Sequence, residues 1–446
     1  MNKSVILKIC SIILTMVMCL TVVTGCQRGE KVTSGSGSKA ENNFVRPGTN
    51  NSASEDENYS EDTSDEDTST EEELSEESSE EETSTDESDE ETSTESENED
   101  TSSEEESSSD ESKEEKTTTV TENIPYDADK NPLKRGINFN GLESSEDIGD
   151  EDWKLQGKYY DLVRDKGFDH VRVAVDFFCR MGEAPEYKID EGFLHKVDRI
   201  INLALSANLK VVLDFHHFGE MQTNVEGNKQ KFYKMWEQLA EHYQKYPSGL
   251  VFELFNEPGN GSALSAGGPD LMTSPKLIEI QEQAIKIIRK TNPTRLIVHA
   301  TSWNNSYYEL MSTEPLLPDD DNLIMSAHVY EPMKFTHQGT RWDNPNADNT
   351  PYDFTDDMKY EIELAFKIVK EYQEKYGRPV WIGEFGAYNR IAPEGARVKY
   401  ADFIVKEMKK AKCGWAWWAF KAEFGVYNIN TGEWQEDGAL IDALMQ

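Results

Sequence analysis

The sequence is poor in positive charge. It has 45 lysines and arginines against 86 aspartates and glutamates, which gives its 446 residues a formal net charge of −41. This imbalance repels phosphate backbones and so argues against nucleic acid as a partner. Between Glu55 and Glu122, 33 acidic residues and two lysines supply −31 of that charge. The rest of the chain is therefore only mildly acidic.

Cysteine is also scarce, with five in the whole chain. Cys10 and Cys19 fall in the N-terminal apolar run and Cys26 directly follows it, which leaves Cys179 and Cys413. Nothing in this set indicates a disulfide framework, and we expect the last two to be buried thiols.

The N-terminal apolar run, Ile9–Val23, is too short for a stable membrane span and is preceded by lysines. It leads into Val-Thr-Gly-Cys ending at Cys26, which resembles the bacterial lipobox. We therefore expect residues 1–25 to be a lipoprotein signal peptide and Cys26 to be lipidated. The lipid would anchor an extracellular protein to the bacterial cell membrane. Ordinary signal cleavage with an unmodified Cys26 is the alternative.

Residues 26–123 consist largely of Ser, Thr, Glu and Asp, with almost no aliphatic side chains. Such a segment cannot bury enough apolar surface to offset its ordering entropy, so the sequence predicts a disordered acidic linker. Like charges would extend it. We interpret it as a solvated spacer, with a calcium or cell-wall contact as the alternative.

Residues 124–446 alternate short β-branched runs with amphipathic helical patterns, which predicts a parallel sheet. Eight such units are typical of a (β/α)8 TIM barrel, with a doubly wound α/β sheet as the alternative. The predicted strands are Arg135–Asn140, His170–Val175, Lys210–Phe215, Leu250–Asn256, Arg295–His299, Asn322–His328, Pro379–Glu384 and Cys413–Trp418, and the predicted helices are Trp153–Lys166, Phe193–Asn208, Lys229–Tyr246, Pro275–Thr291, Asp356–Tyr376 and Ala396–Lys412.

Polar and aromatic side chains follow nearly every predicted strand, whereas the strand bodies are largely apolar. Active sites of TIM barrels lie at this carboxyl end. Glu257 and Glu384 end the fourth and seventh strands, so they could face each other across the barrel mouth. Glycosidic hydrolysis needs a proton donor and a second carboxylate. The structural alternative for a single such Glu is an ion pair, but two in these contexts favour catalysis.

The segments Phe252–Pro258 (FELFNEP) and Trp381–Gly386 (WIGEFG) resemble the paired signatures of glycoside hydrolase family 5, in clan A. The resemblance covers Arg135–Gln446. The segment from Phe335 to Gly339 (FTHQG) and the stretch from Trp417 to Gly425 are similar to subfamily 25, which contains endoglucanases with side activities on mannan-type glycans. The first strand departs from the family pattern by one residue, and we prefer Asn140 over Asn138 as the substrate contact.

The resemblance implies a retaining hydrolase that needs no cofactor. Glu257 would be the acid/base and Glu384 the nucleophile, kept ionised by Arg172 and Tyr330. Asn256 would donate to the sugar 2-hydroxyl. The remaining implied substrate-binding residues are His216, His217, His328 and His337, which would line the cleft, and Trp418, on which a sugar would stack.

The pair of histidines after Asp214 could also indicate a metal site, but adjacent strand residues point to opposite faces and rarely chelate one ion. We therefore expect no metal. Trp303 and Trp342 lie in loops where further sugars could stack, with loop packing as the alternative.

The leading hypothesis is a monomeric endo-β-1,4-glucanase acting on a β-linked polysaccharide. A β-mannanase or broad glucan/mannan hydrolase is the nearest alternative. An inactive glycan-binding lipoprotein and a metal-dependent barrel hydrolase are alternatives of other classes.

Overall fold

The computed structural model describes residues 127–143, 150–216, 219–259, 268, 270–313, 320–340 and 350–446. The expected signal peptide, Cys26, the acidic linker, His217 and Trp342 lie outside these ranges, so those expectations remain predictions. Among the described residues, no helix combines the length and the apolar character that a bilayer span requires.

Eight parallel strands close into a barrel in sequence order, with the first strand paired to both the second and the eighth. This confirms the TIM barrel and excludes the open doubly wound sheet. The strands are β1 Arg135–Phe139, β2 His170–Val175, β3 Lys210–Phe215, β4 Leu250–Glu253, β5 Ile297–Ala300, β6 Leu323–His328, β7 Val380–Phe385 and β8 Gly414–Trp417.

The longer helices cover the outside of the barrel. They are α1 Gly157–Asp165, α2 Glu191–Ser206, α3 Val225–His242, α4 Ser274–Arg289, α5 Lys359–Tyr376, α6 Ala396–Ala411 and the C-terminal α7 Ala439–Leu444. A two-stranded hairpin, β9 Tyr427–Asn428 and β10 Glu433–Trp434, follows β8.

The first helix differs from the prediction of a single Trp153–Lys166 helix. Gln156 has an extended backbone (φ −105°, ψ 109°) and separates a 3-10 helix, Asp150–Leu155, from α1. Elsewhere, capping residues set the start: the side chain of Asp190 accepts the amide of Phe193 and so begins α2 two residues before the predicted start.

The prediction of two buried thiols was half wrong. Cys413 is buried, but Cys179 is exposed. Cys179 belongs to the one-turn 3-10 helix Phe178–Arg180, where its neighbour Phe178 takes the buried position. Residue type alone therefore misjudged the exposure of a loop position.

Two apolar layers hold the barrel together. The barrel interior is filled by a small cluster with one residue from each of β3 to β8, whereas a much larger cluster lies between the sheet and the helices. In β8 the small Ala416 faces the interior, and Trp415 and Trp417 pack outward among aromatic neighbours such as Phe385. The interior cluster consists of Leu133, Val212, Val251, Val298, Ile324, Trp381 and Ala416.

The amino-terminal end of the barrel is closed by a fully buried histidine. Trp381 Nε1 donates to His170 Nε2 at 3.2 Å, and His170 Nδ1 lies 2.7 Å from Asp169 Oδ1. Asp169 also accepts the backbone amide of Arg135 at 2.7 Å. The imidazole occupies the space directly over Gly136, where a Cβ would overlap the ring.

We expect Gly136→Ala to lower the free energy of unfolding by about 2 kcal/mol or more, because the added methyl group forces the buried imidazole out of place. Urea unfolding followed by tryptophan fluorescence measures this. Gly157→Ala is the matched control, since a Cβ there meets Leu203 at an ordinary 3.5 Å and sits in a helix. Equal stability of the two variants would contradict the prediction.

Candidate active site

Arg172, in the middle of β2, is fully buried and contacts side chains from four other strands or their ends. Its Nε and Nη2 bind the two carboxylate oxygens of Glu253 at 2.6 and 3.1 Å. Nη1 binds Glu384 Oε1 at 2.6 Å, and Nη2 lies 2.9 Å from Asp214 Oδ2. One guanidinium therefore joins three buried carboxyl groups.

Two asparagines complete the shell around this guanidinium. Asn138 Oδ1 accepts from Arg172 Nη1 at 3.0 Å, while its Nδ2 donates to the carbonyls of Gly383 and Trp417. Asn256 Oδ1 accepts from Arg172 Nη2 at 2.8 Å. Both asparagines are fully buried, and the hydrogen bonds fix the orientation of their amides.

The three carboxyl groups on Arg172 differ in acidity. Burial alone would raise the pKa of Glu384, but His328, Arg172, His216 and the hydroxyl of Tyr330 together lower it to about 2. Burial raises the pKa of Asp214 to about 7 and that of Glu253 to about 7, despite the contact with Arg172. The cationic and hydrogen-bonding groups therefore converge on Glu384, which stays ionised.

His216 connects Asp214 to Asn256. Its Nδ1 lies 2.7 Å from Asp214 Oδ2, and its Nε2 lies 3.2 Å from Asn256 Nδ2. Because Asn256 Nδ2 can only donate, the ring proton belongs on Nδ1, facing Asp214. Burial lowers the pKa of His216, which favours this neutral form. The imidazole also stacks on the half-buried Trp418, with ring centroids 5.5 Å apart and planes 15° apart.

Glu257 follows β4 in an unusual backbone conformation. Its φ is +42°, a left-handed value that non-glycine residues adopt at some cost and that often marks functional sites. The side chain of Gln222 donates to the carbonyl of Glu257 at 3.3 Å and supports the turn. Glu257 Oε1 lies 2.9 Å from Nδ1 of His328, at the end of β6.

Tyr330 and His337 lie on the other side of Glu384. The Tyr330 hydroxyl donates to Glu384 Oε2 at 2.8 Å, and burial, followed by the charge of Glu384, raises the pKa of Tyr330 well above its ordinary value. The ring of His337 packs edge-on against Tyr330, with centroids 5.0 Å apart, and also against Phe424. His337 therefore adjoins the site through Tyr330.

One carboxylate oxygen each from Glu257 and Glu384 and one nitrogen of His328 lie within 4.8 Å of one another. By donor type these three side chains could hold a cation. However, His328 Nδ1 is hydrogen-bonded to Glu257, and the Glu384 oxygens bind Arg172 and Tyr330. These hydrogen bonds explain why the three side chains lie together, as two carboxyl groups of an acid–base pair and the histidine that contacts them. Among the histidines that suggested a metal, His216 is bound to Asp214 as described above.

The first strand separates the two asparagines weighed from the sequence. Asn138 is fully buried among Arg172 and two carbonyls, whereas Asn140 lies past the end of β1 and is partly exposed. Asn140 Oδ1 is buried and has no hydrogen-bond partner among the described residues. This geometry favours Asn140 as the one that can reach a ligand.

Sequence reasoning missed several supporting residues. Gln222 and Glu253 were not identified as parts of the site, Asn138 was considered only as the less favoured substrate contact, and Asp214 only as part of a possible metal site. A charged or amide residue inside an apolar strand is the signal that could have found Asp214 and Asn138.

We expect Asp214→Asn to reduce the pH dependence of stability. The folded pKa of about 7 lies above the unfolded value of about 3.9, so the native state keeps a proton that the unfolded chain has released. This contribution to stability is complete below pH ~4 and is lost as pH rises towards ~7. Asn mimics the neutral carboxyl, so the free energy of unfolding should fall less with pH, by up to about 1.4 kcal/mol per pH unit.

Urea unfolding at several pH values between about 4.5 and 7 measures this dependence. Asp321→Asn, at an exposed carboxyl paired with Lys130, is the control and should leave the slope unchanged. Parallel curves for the wild type and Asp214→Asn would contradict the prediction.

The chain is similar to curated proteins named as endoglucanases and as a cellodextrinase. It is 32% identical to "Endoglucanase H" of Acetivibrio thermocellus over 55% of this chain, and it spans only 25% of that relative. It is 29% identical to "Cellodextrinase A" of Ruminococcus flavefaciens, over 62% of this chain and 82% of the relative.

Solved structures agree with this. The cellulose synthase subunit Z of Clostridioides difficile is 34% identical with a TM-score of 0.63, covering 70% of this chain and all of that one. Cel5A of Thermotoga maritima, solved with cellobiose, is 32% identical with a TM-score of 0.64, over 71% of this chain and 99% of that one. The Cellulase model of glycosyl hydrolase family 5 matches residues 126–424, more than half of the sequence. The chain therefore belongs to glycosyl hydrolase family 5, the cellulase family.

Proposed function

We propose that the chain is a retaining endo-β-1,4-glucanase with Glu384 as nucleophile and Glu257 as acid/base. The observation that supports this best is the separation of the two carboxylates, whose nearest oxygens lie within 4.8 Å. Retaining glycosidases place their carboxyl groups ~5 Å apart, whereas inverting enzymes leave ~6.5–9.5 Å for a water molecule. The short separation supports attack on the sugar by Glu384 itself.

In the first step, Glu384 attacks the anomeric carbon while Glu257 protonates the leaving oxygen. Glu384 suits the nucleophilic role because its low pKa keeps it ionised and the surrounding donors hold its orientation. As its charge is consumed in the covalent bond, the repulsion from Glu384 that helps to raise the pKa of Asp214 is lost, and Asp214 can ionise beside Arg172. The buried cation is therefore not left without a carboxylate in the intermediate.

In the second step, Glu257 removes a proton from water, which attacks the glycosyl-enzyme bond and releases Glu384. His328 contacts both carboxylates, at 2.9 Å from Glu257 Oε1 and 3.8 Å from Glu384 Oε2. A proton on its Nδ1 stabilises Glu257 when this residue is ionised, between the two steps. His328 therefore supports the change of role of Glu257.

The sugar bound next to Glu384 would lie between Asn256 and Trp418. Asn256 uses one N–H for His216 and its oxygen for Arg172, and its second N–H, which has no partner among the described residues, can donate to the sugar 2-hydroxyl. The partly exposed indole of Trp418 offers a stacking surface that is backed by His216.

An endo cleavage mode requires a cleft that extends beyond this sugar. Trp303, after β5, is 53% exposed, and its backbone lies next to Gly259, two residues past the acid/base. A sugar on the leaving-group side could stack there. Because Cel5A of Thermotoga maritima has been solved with both cellobiose and mannotriose, we propose subfamily 25 and a broad glucan/mannan specificity as the second candidate.

We expect the purified chain to release reducing sugar from β-1,4-glucan and mixed-linkage glucan, and Glu384→Gln to lower kcat about a thousandfold or more, because the amide cannot attack. Glucomannan and galactomannan complete the panel, and a chelator is included to test for metal dependence. Glu331→Gln is the matched control, since this carboxyl, with a pKa of about 7 raised by burial, lies outside the proposed machinery.

Release from the mannans alone would keep the mechanism and overturn the glucanase assignment. No release from any polymer by the folded chain would favour a glycan-binding protein, and loss of activity with chelator would favour a metal-dependent hydrolase.

We further propose that the enzyme is a monomer anchored outside the bacterial membrane through Cys26, with residues 26–123 as the spacer. The lipobox-like Val-Thr-Gly-Cys sequence that ends at Cys26 supports this proposal. In a bacterial host fed labelled palmitate, we expect the wild-type chain to carry label and Cys26→Ala to lose it. Cys19→Ala is the control and should keep the label. Label retained in Cys26→Ala would contradict the anchor.

A further inference from the structure

Three consecutive residues after β5 have left-handed backbones. The φ values are +52° for Trp303, +62° for Asn304 and +53° for Asn305. Each such non-glycine residue costs free energy, so the surrounding structure must hold the run in place. Trp303 and Asn304 are exposed, whereas Asn305 is fully buried. The run therefore turns one amide into the interior of the protein.

That amide reaches β6 beside the two proposed catalytic carboxylates. Asn305 Nδ2 lies 3.1 Å from Ser326 Oγ and 3.4 Å from Nε2 of His328. Ser306, the next residue, forms a backbone bridge with His328. Gly383 leaves room for the contact, because a Cβ there would lie 2.9 Å from Ser326 Oγ and 3.0 Å from His328 Nε2.

The two nitrogens of His328 therefore face different groups. Nδ1 faces Glu257 Oε1 at 2.9 Å, and Nε2 faces a donor, the amide of Asn305. With the Asn305 amide in this orientation, its Oδ1 has no partner among the described residues, and the donor facing Nε2 places the single ring proton of neutral His328 on Nδ1. The neutral ring is then a hydrogen-bond donor to Glu257.

Charged groups from several strands act on the same ring. Burial alone would lower the pKa of His328, but the charge of Glu384 and the hydrogen bond and charge of Glu257 raise it above its ordinary value. A raised pKa favours a second ring proton, on Nε2. The Asn305 amide disfavours it, because two N–H groups would then point at each other. The charged and titratable groups that face or influence His328 are Glu257, Glu384, Arg172, Asp214, Glu253 and, through Glu384, Tyr330.

We propose that Asn305 is a positioning residue that keeps the proton of His328 on Nδ1, directed at Glu257. The inference rests on the proposed function of Glu257 as acid/base. A neutral donor can stabilise the ionised carboxylate between the two steps and still allow Glu257 to be protonated for the first. An imidazolium would hold Glu257 ionised and impair its role as the acid.

Asn305→Asp tests the proposal because it replaces the donor with an acceptor of the same shape, and Asp tolerates a left-handed backbone. The full chain is labelled with ¹³C,¹⁵N-histidine, and the His328 resonance is identified by its loss in His328→Gln. We expect the unprotonated nitrogen of wild-type His328 to be Nε2, and the titration midpoint to rise by about one pH unit or more in Asn305→Asp. Asn304→Asp, the same change one residue earlier on the exposed side, is the control and should shift it much less.

The second measurement is the pH profile of kcat/KM. In Asn305→Asp the alkaline limb should move to lower pH with cello-oligosaccharides, whose leaving group needs a proton. It should not move with a dinitrophenyl cellobioside, whose leaving group departs without one. A purely structural role for Asn305 would lower kcat/KM for both substrates at every pH.

If Asn305→Asp does not fold, Asn305→Gly keeps the backbone conformation and removes the amide. We then expect signals from both His328 tautomers. An unchanged His328 titration and tautomer in the folded variants would overturn the role proposed for Asn305. In that case an active wild type would still support the proposed function. An inactive wild type would overturn the proposed function, and the NMR titration would still decide the role of Asn305.

Discussion

The ion pairs of Arg172 are the interaction on which the rest of the site depends. A buried guanidinium must be paired, and here it binds Asp214, Glu253 and Glu384, which come from β3, β4 and β7. It thereby fixes the spacing of the strands that carry the two proposed catalytic residues. One cation cannot neutralise three carboxylates, so the protein divides them: Glu384 is ionised, and burial raises the pKa values of Asp214 and Glu253 towards neutrality.

Two chains of hydrogen bonds extend from this centre. Asp214 orients His216, His216 orients Asn256, and Asn256 returns to Arg172. On the other side, Asn305 faces His328, which faces Glu257. In both chains a histidine has a donor on one nitrogen and a carboxylate on the other. An amide thereby selects the tautomer, and the carboxyl oxygen accepts the hydrogen bond of the remaining ring N–H.

The sequence predicted much of the fold because its signals are local. Alternating strands and helices indicated the barrel, and residues at the strand ends indicated which side chains meet at the mouth. It failed where exposure or caps depend on neighbours: Cys179 is exposed because Phe178 takes the buried position in that turn, and a single extended residue, Gln156, divides a predicted helix. The choice between Asn138 and Asn140 also needed the structure, because only burial distinguishes two asparagines two residues apart.

By itself the sequence determined the family, the barrel and the identity of Glu257 and Glu384 as candidates, since periodicity and short motifs are properties of neighbouring residues along the chain. The tertiary structure decided the state of each group. The carboxyl in Asp-Phe-His has a raised pKa and the one in Gly-Glu-Phe a lowered one because residues distant in the sequence surround them differently. Likewise, nothing near Asn305 in the sequence points to His328; the left-handed turn and the adjacent strand bring them together, because distance in space, not along the chain, sets electrostatic and hydrogen-bond energies.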